Sequence, residues 1–160
     1  PIRRELFTAM KGSGARLNGR RMRVSGTDTM VASLLSTGFS LAFRRVPTEY
    51  LDWLVAFERG SHAVRRIGTT AISLAWLAAG RLDGFYEREL SPWDFAGGTI
   101  LVREAGGRVT DFDGQATTVG TERSRLVASN GRIHDEMLAV LTRKIRGHNT
   151  HFSSARGARN

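Results

Sequence analysis

From residue 30 onward, short apolar runs alternate with segments of helical period, and this restricts the fold to a sheet covered by helices. Met30 to Gly38 lacks a regular polar alternation, as a strand buried on both faces would. Pro47 then opens a helical pattern with Tyr50, Leu51, Leu54, Val55 and Phe57. Ala63 to Ile67 reads as a short strand closed by Gly68. Thr69 and Thr70 can cap a helix in which Ile72, Leu74, Ala75, Leu77 and Ala78 are apolar nearly all round, the mark of a buried helix. Gly80 ends it, Leu82 to Tyr86 is a strand, and Ser91-Pro92-Trp93-Asp94 starts a helix that runs through Ile100, Leu101, Val102 and Ala105. After Gly106-Gly107 come Arg108 to Asp111, a last strand at Arg125 to Ser129 and a last helix at Ile133 to Ile145, with Met137, Val140 and Leu141 inward. The expected fold is α/β, with a mainly parallel sheet covered by helices.

The first 24 residues differ. Glu5 to Met10 is β-competent, Lys11 to Gly14 is a turn, and Asn18-Gly19 is a strong hairpin signal before Arg20 to Val24, which together predict a small N-terminal β-meander. No interior linker divides the chain, so residues 1–142 form one unit. Residues 143–160 are polar, basic and expected to be disordered. The formal charge of +9 draws Arg143, Lys144, Arg146, Arg156 and Arg159 from that tail, and the rest of the chain holds 19 bases against 15 acids. The pairs Arg3-Arg4, Arg20-Arg21, Arg44-Arg45 and Arg65-Arg66 are scattered along the sequence, which favours a solvated surface over a nucleic-acid face. The 160 residues contain no cysteine, which excludes disulfides and thiolate metal sites and fits a cytoplasmic location. Ala71 to Ala79 is the longest largely apolar run and falls short of the roughly 18 residues that span a bilayer, and Pro1-Ile2-Arg3-Arg4 leads into no apolar segment of a secretory signal.

One stretch carries more than scaffold. It contains Gly68-Thr69-Thr70-Ala71, then Gly80-Arg81-Leu82-Asp83-Gly84-Phe85-Tyr86-Glu87, then Pro92-Trp93-Asp94-Phe95-Ala96-Gly97-Gly98, then Glu104-Ala105-Gly106-Gly107. With Glu5-Leu6-Phe7-Thr8-Ala9, Asn18-Gly19 and Ala128-Ser129-Asn130-Gly131, this series closely resembles the C-terminal half of the inositol monophosphatase family, magnesium-dependent phosphomonoesterases of the fructose-bisphosphatase-like superfamily. The resemblance implies the C-terminal half of an αβαβα layered phosphatase fold. On it, Asp94 matches a Mg²⁺ ligand that also faces substrate, Glu87 a carboxylate that accepts hydrogen bonds from substrate hydroxyls, and Gly68, Thr69 and Thr70 a turn of the substrate pocket. These residue types suit those tasks: Mg²⁺ takes hard oxygen ligands, and a carboxylate accepts from two hydroxyls. Read without the resemblance, Asp94 is a helix cap, Glu87 a solvated acid and Gly68 to Thr70 a turn with an N-cap. Arg66 and Arg88, beside these positions, would favour a more anionic ligand. Asp83 reads as structural, Trp93 as packing beside the metal loop, Trp53 and Trp76 as core residues, and His62 and His134 as surface residues.

The family's Glu-Glu pair and Asp-Pro-Ile/Leu-Asp-Gly-Thr motif, which carry the remaining metal ligands, do not occur in this sequence. No catalytic residue is therefore assigned within these 160 residues, and the N-terminal half of the same protein is the expected partner. The implied activity is hydrolysis of a small phosphorylated polyol by metal-activated water, with inositol monophosphate first and histidinol phosphate or a sugar phosphate as alternatives. The chain alone is expected to be inactive. A homodimer is allowed, with residues 100–105 or 28–38 contributing. The rival expectation is a non-catalytic relative that binds a partner or RNA through its basic surface.

Overall fold

The computed structural model describes residues 2–38, 48–117 and 124–143. Strands β1 (Phe7–Met10), β2 (Gly14–Leu17) and β3 (Arg20–Arg21) form the expected antiparallel meander. Asn18 and Gly19 both adopt positive φ, the geometry of a hairpin turn whose twist matches its strands. The second sheet has five strands: β4 (Leu34–Thr37), β5 (Ala63–Arg65), β6 (Gly84–Leu90), β7 (Arg108–Thr110) and β8 (Ser124–Ser129), in the order β5-β4-β6-β8-β7. Helices α1 (Thr48–Gly60), α2 (Thr70–Ala78), α3 (Pro92–Glu104) and α4 (His134–Thr142) complete the fold. None of the described helices is long and apolar enough to cross a membrane.

The α/β class holds, and the sheet is parallel on one side only. β4 runs parallel to β5 and β6, whereas β8 is antiparallel to both β6 and β7. Strand side chains alternate between two cores. Phe85, Leu126 and Ala128 pack with Leu74, Leu77, Phe95 and Val102 beneath α2 and α3. Tyr86 and Val127 pack with Trp53, Phe57, Ile133 and Met137 beneath α1 and α4. Burial on both faces is why these strands read as continuous apolar runs.

Several expectations are corrected. Met30–Ala32 forms a 3₁₀ turn rather than the start of a strand, because the Ser33 hydroxyl and N–H both return to the Met30 carbonyl, at 2.6 and 2.9 Å. On α1, Tyr50, Trp53 and Phe57 face inward, and the neighbouring stripe of Leu51 and Val55 is exposed. Ile72 lies at the surface of α2, so that helix is not buried all round. Within residues 28–38 and 100–105, Leu35, Val102 and Ala105 lie in the protein's own cores, whereas Val31 and Arg103 are exposed. Pro47 and residues 144–160 lie outside the described residues.

Two polar devices hold the elements together. The Asp83 carboxylate accepts the Ser25 hydroxyl at 2.5 Å and the Leu34 N–H at 2.6 Å, and its carbonyl accepts the Asn130 N–H at 3.0 Å. Asn130 in turn donates to Ser25 Oγ and to the Thr27 carbonyl. Glu104, at the end of α3, accepts the N–H groups of Gly12 and Gly14 at 2.8 Å each, clamping the β1–β2 turn and holding its own carboxyl below the usual range.

His134, expected at the surface, is fully buried. Thr110 donates to the Asp111 carbonyl, so its oxygen accepts from His134 Nε2–H, while Nδ1 accepts from Ser129, whose oxygen takes the Gly131 N–H. The direction of this chain fixes the neutral tautomer. Burial, reinforced by the Arg108 charge, pushes the imidazole down to about 4 from an ordinary 6.5.

Asp83→Ala is expected to lower unfolding stability by about 3 kcal/mol in urea melts, since it leaves the Leu34 N–H without its charged acceptor. His134 binds its proton less readily folded than unfolded, so stability contributed above pH 6.5 is lost as pH falls toward about 4. Urea midpoints measured across that window should fall with pH, and His134→Gln should flatten the dependence.

Candidate active site

The carboxyl ends of the parallel strands β4 and β6 and the segment just after β5 meet the N-terminus of α2, where ligands gather in parallel sheets. A hollow of about 70 Å³ opens there, lined by Thr37, Gly38, Arg66, Gly68 to Thr70, Ser73 and Glu87. Four of the five expected site residues, Gly68, Thr69, Thr70 and Glu87, therefore converge. Gly68 adopts φ +90°, a conformation that L side chains rarely hold, and turns the chain from β5 into α2. Thr69 is the N-cap by position, but its hydroxyl makes no capping bond, which leaves the first N–H groups of α2 open to an incoming oxygen.

Glu87 is 8% exposed, so it is not a solvated acid. The Thr70 hydroxyl donates to its Oε2 at 2.7 Å instead of capping α2. Burial pushes the Glu87 carboxyl above its usual range, with the Asp94 charge adding to this and Thr70 and Arg66 opposing it. Regular pairing of β6 with β8 is interrupted between Glu87 and Leu90, where Glu89 takes φ +65°; irregularities of this kind re-aim side chains next to sites. Gly38 was not singled out from the sequence. Any Cβ there would overlap both carboxylate oxygens of Glu87, so β4 must be followed by glycine for Glu87 to occupy its place. The only sequence signal was a glycine directly after a buried strand.

Asp94 is exposed at the third position of α3, as a helix-start acid should be, and its Oδ2 accepts the Ser91 N–H at 3.2 Å. It does not line the hollow, although its charge reaches Glu87. Oδ1 takes no hydrogen bond among the described residues, which leaves an oxygen for a hard cation. Among the described residues no three of His, Asp and Glu gather as a metal site. The chain therefore fits Mg²⁺ as a single ligand of a larger set. Trp93, expected to pack, is 82% exposed beside Asp94 because the first turn of α3 projects from the core. Arg66 lines the hollow, whereas Arg88 falls on the opposite face of β6, paired with Glu49 at 3.2 Å and lying over Tyr50 and Trp53.

The comparisons agree with this geometry. The model of the inositol monophosphatase family matches residues 1–146. The chain belongs to the inositol monophosphatase family. Among curated members of that family, it is 45% identical over 139 residues to Nus factor SuhB of Salmonella typhimurium and 44% identical over 146 residues to inositol-1-monophosphatase of Synechocystis, alignments that cover 87% and 88% of this chain and 51% and 48% of those proteins. The solved inositol monophosphatase from Anabaena superposes with a TM-score of 0.82 at 40% identity, covering 88% of this chain and 55% of that one. The chain thus spans about half the length of the curated relatives it matches.

Glu87→Gln keeps an acceptor for Thr70 and removes a buried charge. The ionised acid is disfavoured by burial, so the substitution should raise Tm by about 2–4 °C at neutral pH. The difference should shrink as pH falls through the raised pKa of Glu87, where the wild-type group becomes neutral as well. Melting curves over a pH series check both the sign and the window.

Proposed function

We propose that the full-length protein hydrolyses a small phosphomonoester, with inositol monophosphate first and histidinol phosphate or a sugar phosphate as alternatives, and that this chain supplies the polyol-recognising side of the site. The observation that carries the reading is the buried Glu87, held by Thr70 and seated against Gly38 at the edge of an open hollow. A carboxylate kept out of water at a cost in stability is characteristic of a functional group. With Oε2 engaged by Thr70, Oε1 retains its capacity to accept a substrate hydroxyl. Gly68 to Thr70 present N–H groups and hydroxyls to the same ligand, and Arg66 adds positive charge toward a phosphoryl group.

Mg²⁺, when bound, supplies neutralisation and polarisation of the phosphoryl oxygens. Asp94 is the residue of this chain that would hold it, together with carboxylates from the rest of the protein. A hollow of about 70 Å³ is too small for a phosphorylated polyol, since small-molecule sites usually offer roughly 300–1,000 Å³. The other half of the protein is therefore required to complete the walls, and this chain alone should release no phosphate.

In the full-length protein, Asp94→Asn should reduce phosphate release from inositol monophosphate by on the order of 100-fold or more, and raise the Mg²⁺ concentration needed for half-maximal rate. Activity and Mg²⁺ dependence equal to wild type would refute the assignment. Phosphate release by the 160-residue chain alone, abolished by EDTA, would refute its dependence on the other half.

A further inference from the structure

The sequence scatters its arginine pairs, and the fold gathers two of them, Arg20-Arg21 and Arg65-Arg66, together with Arg3. Arg3, Arg65, Arg66 and Arg81 border a trough of about 460 Å³ whose floor is apolar, made by Leu34, Ile67, Trp76 and Leu82. A second hollow, of about 700 Å³, is bordered by Arg20, Arg21, Arg23 and again Arg81. Arg66 also belongs to the wall of the hollow beside Glu87. The three depressions thus share residues, Arg66 joining the hollow beside Glu87 to the trough and Arg81 joining the trough to the 700 Å³ hollow. The result is one continuous basic track that leaves the candidate active site and passes over the start of the chain to the meander.

Two features distinguish this track from a merely solvated charged surface. Its central section places guanidinium groups around an aromatic and aliphatic floor, and the Arg3 guanidinium already lies 5.5 Å from the centre of the Trp76 ring. In addition, one of its arginines is pre-positioned: Glu5 binds Arg81 through both carboxylate oxygens, at 2.6 and 3.0 Å. Arg3, Arg20, Arg21, Arg23, Arg65 and Arg81 line the trough and the 700 Å³ hollow with no acidic residue among their lining. A guanidinium rim meets phosphates, and an apolar floor meets flat bases; an acidic protein surface would use the rim and leave the floor uncovered.

We propose that this track binds a single-stranded nucleic acid, the phosphodiester backbone running along the arginines and bases resting on the floor around Trp76. The contacts tested, at Arg3, Arg23 and Arg65, lie outside the lining of the polyol hollow, and their test does not depend on the hydrolase reading.

The test uses the full-length protein and fluorescence anisotropy of a labelled single-stranded RNA of about 12 nucleotides, in KCl from about 50 to 200 mM. Combined Arg3→Ala, Arg23→Ala and Arg65→Ala should weaken binding on the order of 30-fold and make the salt dependence shallower by about two phosphate contacts' worth. Arg66 is left in place because it borders the polyol hollow. The charge-matched control, Arg108→Ala with Arg125→Ala and Arg132→Ala on the β7–β8 side and the α4 approach, should change affinity by no more than about threefold. Circular dichroism melts of both triple variants verify that they remain folded. Equal loss in the control would reduce the effect to net charge and overturn the proposal. Binding of a duplex of the same length as tightly as the single strand would overturn it too, as would competition by polyglutamate as effective as that of unlabelled RNA, because neither ligand can place a base on the apolar floor.

Discussion

The Asp83 carboxylate is the point through which the two sheets communicate. It bonds Ser25, where the chain leaves the meander, and Leu34, where β4 begins, while its own backbone binds Asn130 at the end of β8. Segments far apart in sequence are thereby fixed around one buried acid. A carboxylate accepting a backbone N–H and a hydroxyl makes charge-assisted bonds roughly twice as strong as neutral ones. The register of β4 against β6 follows from this anchor, and that register sets Gly38 beside Glu87. The site is therefore downstream of a purely structural acid.

Glu87 shows the opposite economy. Its burial works against its charge, and among the described residues Thr70 and Arg66 offset that cost. A stable protein would place glutamine or a hydrophobe at this position. The fold instead places glycine directly after β4, interrupts the β6–β8 ladder just beyond Glu87 and leaves the Thr69 hydroxyl without a capping bond. Each of these is a small departure from the best local structure, and all occur within a few residues of one hollow. Such concentration is what a binding function leaves behind.

Much of the architecture was legible because it rests on local pattern. Asn18-Gly19 announced the hairpin, Ser91-Pro92 the start of α3, and the apolar runs the strands of the five-stranded sheet. The motif residues Gly68 to Thr70 and Glu87 were found by resemblance, and the structure brings them together. The features that escaped are tertiary. The role of Gly38 depends on a side chain 49 positions away, and the arginines of the basic track come from four separate stretches of chain. His134 looked like a surface residue because its partners Thr110 and Ser129 are uncharged and unremarkable in sequence. Periodicity placed α1 correctly but could not say which of two adjacent apolar stripes, Tyr50-Trp53-Phe57 or Leu51-Val55, would turn inward.

Helix α3 carries Asp94 in its first turn and Glu104 in its last, a separation of about 15 Å along the axis. Glu104 grips the β1–β2 turn, so the meander and the Asp94 end of α3 are mounted on a single stiff lever. A push on the meander is delivered as a tilt or slide of Asp94 rather than absorbed between them. Whatever leans against those three strands in the whole protein would then help aim the Asp94 carboxylate without touching it.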